Sequence, residues 1–143
     1  MLLAAPVLFG SLFLTWSHQL SGSLRSRYGG SPILQGVAPD PNAWQVYSTA
    51  DVALALVAAG LLVAALRGGR STRAAVLVAV LVALAFTAHA LSVPPTNGTI
   101  VFDPTSRPPA YVPTAPAAGP GETLALVGLA TGLAGLVLSF TAD

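Results

Sequence analysis

Ionisable residues are rare inside the apolar stretches of this chain, and those that occur there are the first candidates for chemistry. Asp51 lies about one helical turn inside the second apolar stretch, and His89 lies about one turn before the end of the third. An ionisable side chain inside a membrane is energetically expensive, so each is a functional-site hypothesis by default. In an antiparallel hairpin centred on Arg70 the two residues lie at equal depth. We therefore predict an intramembrane polar pair of Asp51 and His89.

This predicted pair has two interpretations that the sequence leaves open. In a structural pair, the Asp51 carboxylate accepts a hydrogen bond from the His89 imidazole and both groups are satisfied. In a proton-responsive pair, the nearby carboxylate controls the charge of the histidine. The second interpretation would suit a small transporter or a proton-responsive membrane component.

His18 and Glu122 lie at the outer ends of the first and fourth apolar stretches, and with the predicted pair they form a possible outer-face polar cluster. Histidine and carboxylate ligands suit Zn²⁺, but no His/Glu pair has the i,i+3 or i,i+4 spacing of a helical metal site. These residues can equally face headgroups and water. His18 and His89 are also the only possible axial pair for a haem, and neither is placed deep in a span. We predict no metal and no cofactor.

The composition indicates an integral membrane protein. Of 143 residues, 54% are hydrophobic and 8% are charged, and the mean hydropathy is +0.75; an ordinary soluble domain is about one-quarter charged. A net charge of +1 argues against nucleic-acid binding. Without cysteine there is no disulfide or thiolate nucleophile. No P-loop, GxSxG, Ser-His-Asp spacing or pair of intramembrane carboxylates is evident, so we predict that the protein is not an enzyme.

Four apolar stretches predict an all-α, integral membrane four-helix bundle that forms a single domain. The predicted spans are 1–17, 47–66, 74–93 and 123–141, joined by loops 18–46, 67–73 and 94–122. The third loop holds eight of the twelve prolines and one plausible strand, Thr99–Phe102. The first span could instead be a signal peptide, but no basic residue precedes its apolar run, which favours an uncleaved helix.

The orientation rests on how the arginines are distributed. Three lie close together in loop 67–73 and three are spread over the two long loops, so density rather than number favours a cytoplasmic loop 67–73 and cytoplasmic termini. The two long loops would then be extracytoplasmic. Trp16, Trp44 and Tyr47 all fall on that outer side, where we expect them to act as interfacial anchors.

Small residues predict how the helices pack. Gly128, Gly132 and Gly135 line one face of the fourth span and include a GxxxG motif, which permits close backbone approach. This face could form a dimer seam, but we favour packing within the bundle. In the second and third spans the predicted packing faces are Ala55, Ala58, Leu62 and Ala65, and Ala75, Ala79, Val82 and Phe86. Asp40-Pro41 predicts the start of a long second helix.

Two segments carry a resemblance to a known group of proteins. Phe13-Leu14-Thr15-Trp16 closes the first span, and Ala43-Trp44-Gln45, followed by Ser48 and Asp51, opens the second; Gly128-Leu129 and 132–139 belong to the fourth. The arrangement resembles small, uncharacterised four-span membrane proteins of high-GC actinobacteria, although Thr15 stands where proline is usual. The resemblance implies a shared outer-face arrangement of Trp16, Trp44 and Asp51, and it implies no activity.

These observations favour a non-catalytic tetraspan protein of the cell membrane, a subunit or scaffold that packs against partner membrane proteins or a second copy. Its expected partners are the lipid bilayer and other membrane subunits, and no nucleic acid. The alternative is a small transporter or proton-responsive component that uses Asp51 and His89. A haem-binding redox anchor is the third possibility.

Overall fold

The computed structural model describes residues 1–20, 26, 30, 34, 38–94 and 117–141. In chain order its elements are α1 (Ala4–Ser11), β1 (Ser17–His18), α2 (Ala43–Val46), α3 (Ser48–Arg67), α4 (Arg70–Ser92), β2 (Ala117–Ala118) and α5 (Pro120–Thr141). The strand predicted at Thr99–Phe102 lies outside the described residues.

Three helices, α3, α4 and α5, are long and apolar enough to cross a membrane. They have 20, 23 and 22 residues, and most of each apolar window lies on the outside of the bundle. Helices that are apolar on their outer as well as their inner faces suit a lipid environment. The chain is therefore a helical, multi-pass membrane protein with three candidate spans.

The first segment is shorter than the predicted span 1–17. α1 has eight residues, about 12 Å of helix, against a hydrocarbon core about 30 Å thick. After Ser11 the chain tightens into i→i−3 hydrogen bonds, such as Leu12 N–H to the Phe9 carbonyl, and then becomes extended. A fourth helical span is thus not part of the described fold.

The helices form a closed ring around a common core. α5 packs against α1 and α4, and α3 packs against the same two helices from the opposite side. Leu8, Leu61 and Leu129 are fully buried where the ring closes. A Cβ atom at Gly132 would lie 3.0 Å from the Leu61 side chain, so the diagonal helices α3 and α5 meet at that point.

The buried faces of α3 and α4 differ in phase from the predicted ones. In α3 the buried residues are Asp51, Leu54, Ala58, Leu61 and Ala64. In α4 they are Val76, Val80, Ala83, Thr87 and Ala90. The α4 face is offset by one residue, about 100° around the helix, from the predicted alanine stripe. In a helix that is apolar all round, hydrophobicity alone does not mark the inner face.

One end of the bundle, which we call the Trp end, carries Trp16, Trp44, Tyr47 and the first turns of α3 and α5. An extended cap, formed by residues 15–19, 39–42 and 117–121, lies over it. β1 pairs with β2 in antiparallel fashion, and Thr15 bridges to Asn42. The Trp16 N–H donates to the Pro41 carbonyl at 2.9 Å, and the Gly121 N–H donates to the Thr15 carbonyl at 2.8 Å.

The helical region before α3 is broken, although a continuous helix from Asp40-Pro41 was expected. Asn42 caps the short helix α2 through a reciprocal capping box with Gln45. At Tyr47 the backbone leaves the helical region, with φ −126° and ψ 43°, and α3 begins at Ser48. The break lets the Tyr47 ring lie across the top of the bundle.

The opposite end, which we call the Arg end, carries Arg67, Arg70 and Arg73. Only Gly68 and Gly69 separate α3 from α4, so Arg70 and Arg73 belong to the first turn of α4 rather than to a seven-residue loop. A Cβ atom at Gly68 would lie 2.6 Å from the Ala64 backbone, which explains the glycine in this tight turn. Arg73 Nη1 donates to the Ser139 carbonyl at 3.2 Å and joins α4 to the end of α5.

Candidate functional site

Asp51 is buried inside the Trp end. It is the fourth residue of α3 and continues the inner stripe of Leu54 and Ala58 towards the cap. Its side chain is 0% exposed, and neither carboxylate oxygen has a hydrogen-bond partner among the described residues. A buried polar group without a partner is unusual in a folded protein and requires an explanation.

Glu122 occupies the equivalent place on the diagonal helix. It is the third residue of α5, on the same inner face as Ala125 and Leu129. It is also 0% exposed, and within the described part of the chain both of its carboxylate oxygens are unpartnered. The first turns of α3 and α5 place the positive ends of two helix dipoles at this level, which favours negative charge.

Tyr47 lies at the same end of the bundle as the two carboxylates. Its ring lies 5.1 Å from the ring of Phe86 on α4 and 6.0 Å from that of Trp16 in the cap, measured between centroids. Burial raises the pKa of the Tyr47 phenol from 10.0 to about 12, and the negative charges of Glu122 and Asp51 add to this rise. Both carboxylates therefore lie within electrostatic range of one phenol. The structure thus contains the pair of buried carboxylates that sequence inspection did not find.

Trp16 closes the site from the cap and was expected to be an interfacial anchor. The structure buries it completely, and its indole Nε1 donates to the Ser11 carbonyl at 2.8 Å. This carbonyl ends α1 and also accepts a hydrogen bond from the Leu14 N–H at 3.2 Å. Trp44 is half-buried against the ring of Phe13, with 6.0 Å between the centroids. Of the three predicted anchors, Trp44 and Tyr47 are partly accessible and Trp16 is internal.

Asp51 and His89 do not form the predicted hydrogen bond. His89 is exposed on α4, and Asp51 has no hydrogen-bond partner in the described chain. The reason is the phase of α4, in which Thr87 and Ala90 face inward and His89 lies between them on the outer surface. Equal depth in the hairpin was therefore not sufficient for contact.

His18 lies on β1, outside the bundle, and pairs with Asp40. Its Nδ1 is 2.7 Å from Asp40 Oδ1, and the two side chains are 47% and 39% exposed. The predicted outer-face cluster of His18 and Glu122 thus separates into an exposed pair on the cap and a buried glutamate below it. In the described residues no three His, Asp or Glu side chains are grouped so that they could hold a metal ion. Because His18 and His89 are both exposed, the structure places neither histidine in the interior where a haem would be held.

The glycine face of α5 lies against the first segment of the same chain. A Cβ atom at Gly128 would lie 3.0 Å from the Leu8 backbone nitrogen, and one at Gly135 would lie 2.8 Å from the Met1 nitrogen. Gly132 faces Leu61 and Ala4. These glycines allow the first segment to run beside α5 over most of its length. The close contact that the glycine face permits is therefore made within one chain.

Sequence reasoning did not connect Glu122 with Asp51, although a signal was present. Both carboxylates fall in the first turn of an apolar helix, and both helices begin at the same end of the bundle. Tyr47 precedes Asp51 by four residues, and the Asp51 N–H donates to the Tyr47 carbonyl at 3.2 Å. The local spacing thus already placed a phenol next to one of the carboxylates.

Comparisons of the chain with protein-family models, with curated proteins and with solved structures give no match.

Proposed function

We propose that this protein is a non-catalytic membrane subunit or scaffold whose α3–α4 surface receives a transmembrane helix of a partner membrane protein. The observation that carries the proposal is an apolar groove on the outer side of α3 and α4. One recess of about 390 Å³ is lined by Ala50, Ala53, Leu54, Val57, Ala79, Val82, Ala83 and Phe86. A second recess of about 370 Å³ adjoins it towards the Arg end and is lined by Ala53, Leu56, Val57, Gly60, Ala75, Val76 and Ala79.

The chemistry of this groove supports a helix as its occupant. Helices associate in lipid through close backbone approach at small residues, and alanine and glycine form much of the groove wall. At Gly60 the two helices pack closely, since a Cβ atom there would lie 3.3 Å from Val76 Cγ2. Polar groups that would orient a small-molecule substrate are missing from both linings.

The four-span topology belongs to the same proposal. The first segment crosses from Met1, beside Gly135, to Thr15, beside Gly119, and so extends from the Arg end to the Trp end. This placement supports a fourth crossing that is completed by non-helical chain packed against protein. The proposed orientation puts the Arg end and both chain ends in the cytoplasm, because three arginines lie close together at the Arg end.

Affinity purification from the native membrane in mild detergent, followed by mass spectrometry, tests the subunit role. We expect a stoichiometric membrane protein other than this chain to co-purify with the wild type and to be lost from Ala79→Leu, which fills the groove. Ala85→Leu is the matched control, because Ala85 is exposed on α4 and belongs to neither recess. A clean monomer, or a partner retained by Ala79→Leu, would contradict the proposal.

A further inference from the structure

We infer that Asp51 and Glu122, together with the hydroxyl of Tyr47, form a binding site for one small monovalent cation, a proton or an alkali metal ion, inside the Trp end. This site is separate from the α3–α4 groove and does not depend on the proposed subunit role.

The first support is the state of the two carboxylates. Each is 0% exposed, and none of their four oxygens has a hydrogen-bond partner among the described residues. An ionised carboxylate that is buried without a partner is strongly disfavoured unless a positive charge compensates it. A bound cation supplies that compensation.

The second support is the convergence of the two residues. α3 and α5 are diagonal in the ring and both begin at the Trp end, and each turns its carboxylate towards the core. The phenol of Tyr47 responds to the charges of both groups. Two buried acidic side chains therefore lie at the same end of the core, with the half-buried Tyr47 at that end.

Three polar side chains of α1, α4 and the cap are engaged in hydrogen bonds with backbone carbonyls. The Ser11 hydroxyl donates to the Leu8 carbonyl at 2.6 Å, and the Thr87 hydroxyl donates to the Ala83 carbonyl at 2.9 Å. The Trp16 indole donates to the Ser11 carbonyl. α1, α4 and the cap thus use these donors elsewhere, and the carboxylates remain available to a ligand.

The described basic residues do not compensate the carboxylates either. Arg67 lies at the other end of α3, about 24 Å from Asp51 along the helix axis, and Arg70 and Arg73 begin α4 at the Arg end. Among the described residues, the other titratable side chains towards the Trp end are His18 and Asp40, which pair on the cap, and His89, which is exposed on α4. A small cation is the compensating charge that fits this arrangement.

The size and number of donors define the class of cation. The carboxylates and Trp16 are completely buried, so an organic amine would not fit without opening the cap. Ca²⁺ takes about 6–8 oxygen ligands, more than two carboxylates and a phenol supply. A proton needs a single oxygen, and an alkali metal ion carries one charge and binds oxygen donors.

Tryptophan fluorescence of the purified full-length protein in mild detergent tests the site, because both tryptophans lie at the Trp end. Trp44→Phe leaves Trp16 as the sole reporter. One arm varies pH in choline chloride, and the other replaces choline by sodium or potassium at constant pH and ionic strength. We expect a saturable change in the Trp16 emission. A response to pH alone identifies the proton, and a response to sodium or potassium that acid suppresses identifies the metal ion.

The variants Asp51→Asn and Glu122→Gln, in the same background, are each expected to lose this response. Asp40→Asn is the matched control, since it removes an exposed carboxylate at the same end and should leave the response unchanged. The thermal unfolding temperature in choline chloride at high pH shows whether the variants fold. We expect the two neutral variants to unfold at a temperature no lower than that of the parent. A response that is absent in the parent, persists in both variants or disappears in Asp40→Asn would overturn the inference.

Discussion

The indole of Trp16 lies directly against the backbone of Gly121, so closely that a Cβ atom at position 121 would be 2.8 Å from the indole Nε1. The same Cβ atom would be 2.9 Å from the Ser11 carbonyl oxygen, which accepts the indole hydrogen bond. Glycine at this position therefore lets the cap, the end of α1 and the first turn of α5 meet in one place.

Gly121→Ala should weaken this contact. The added methyl group must displace the indole or the α1 backbone, and overpacking of this kind costs about 1–3 kcal/mol. We expect a lower thermal unfolding temperature in detergent and a shift of the tryptophan emission. Gly10→Ala is the control, because no atom lies within 4 Å of its added Cβ, and it should not destabilise the protein. Equal unfolding temperatures for the two variants would contradict the packing described here.

Gly128→Val should displace the first segment from α5, because even a Cβ atom at Gly128 would lie 3.0 Å from the Leu8 nitrogen and 3.2 Å from its Cα. Leu8→Cys provides the readout, since Leu8 is fully buried and the natural chain has no cysteine. We expect the rate of maleimide labelling at position 8 to rise about tenfold. Ala130→Val, on the exposed side of α5, should leave the rate unchanged. If both variants label at the same rate, the glycine face does not hold the first segment.

The Tyr47 phenol should ionise at a pH well above the ordinary pKa of tyrosine. Its pKa is raised from 10.0 to about 12, mainly by burial and then by Glu122 and Asp51. A raised folded-state pKa means that the neutral phenol stabilises the fold below about pH 10, and that this contribution is lost as pH rises through about 12. Absorbance at alkaline pH should show a late ionisation step that Tyr47→Phe removes.

Glu122→Gln should move this late ionisation step towards lower pH without returning it to 10.0, because burial is the larger cause of the shift. Asp40→Asn serves as the control, since the exposed Asp40 does not contribute to the Tyr47 shift. If the ionisation step does not move in Glu122→Gln, the charge of Glu122 does not act on the Tyr47 phenol. Glu122 would then not belong to the proposed site.

Single cysteines at Gly69 and Gly30 should report the orientation. Both glycines are exposed, and a Cβ atom at either would meet no atom within 4 Å. With the Arg end in the cytoplasm, a membrane-impermeant maleimide should label Gly30→Cys in intact cells and Gly69→Cys only after permeabilisation. The reverse pattern would invert the proposed orientation.

The sequence was sufficient for the membrane class and for the approximate positions of the three long helices, because uninterrupted apolar stretches of about 20 residues have few other uses. It also placed Asp51 within one of these helices, α3. It did not show that His89 lies on the outer surface of α4. In a uniformly apolar helix, a rotation by one residue changes which side chain faces inward. That rotation places Thr87 rather than His89 inside α4.

The cap was not predictable for a different reason. Its extended strands bring together residues 15–19, 39–42 and 117–121, which are distant in sequence and carry no alternating hydrophobic pattern. Backbone hydrogen bonds hold them, such as that from the Gly119 N–H to the Trp16 carbonyl at 2.8 Å. Such pairings depend on the bundle below them, so Trp16 was expected at the membrane surface rather than beneath the cap.

The cap also gives the molecule a mechanical connection between its surface and its interior. Ala117 and Ala118 pair with β1, Gly119 and Gly121 are fixed by hydrogen bonds to Trp16 and Thr15, and Glu122 follows directly. Residues 117–121 are held by strand pairing and backbone hydrogen bonds. A force applied to the chain before Ala117 would therefore be transmitted along these five residues to Glu122. The paired strands of the cap and the buried side chain of Glu122 are in this way linked along one short stretch of backbone.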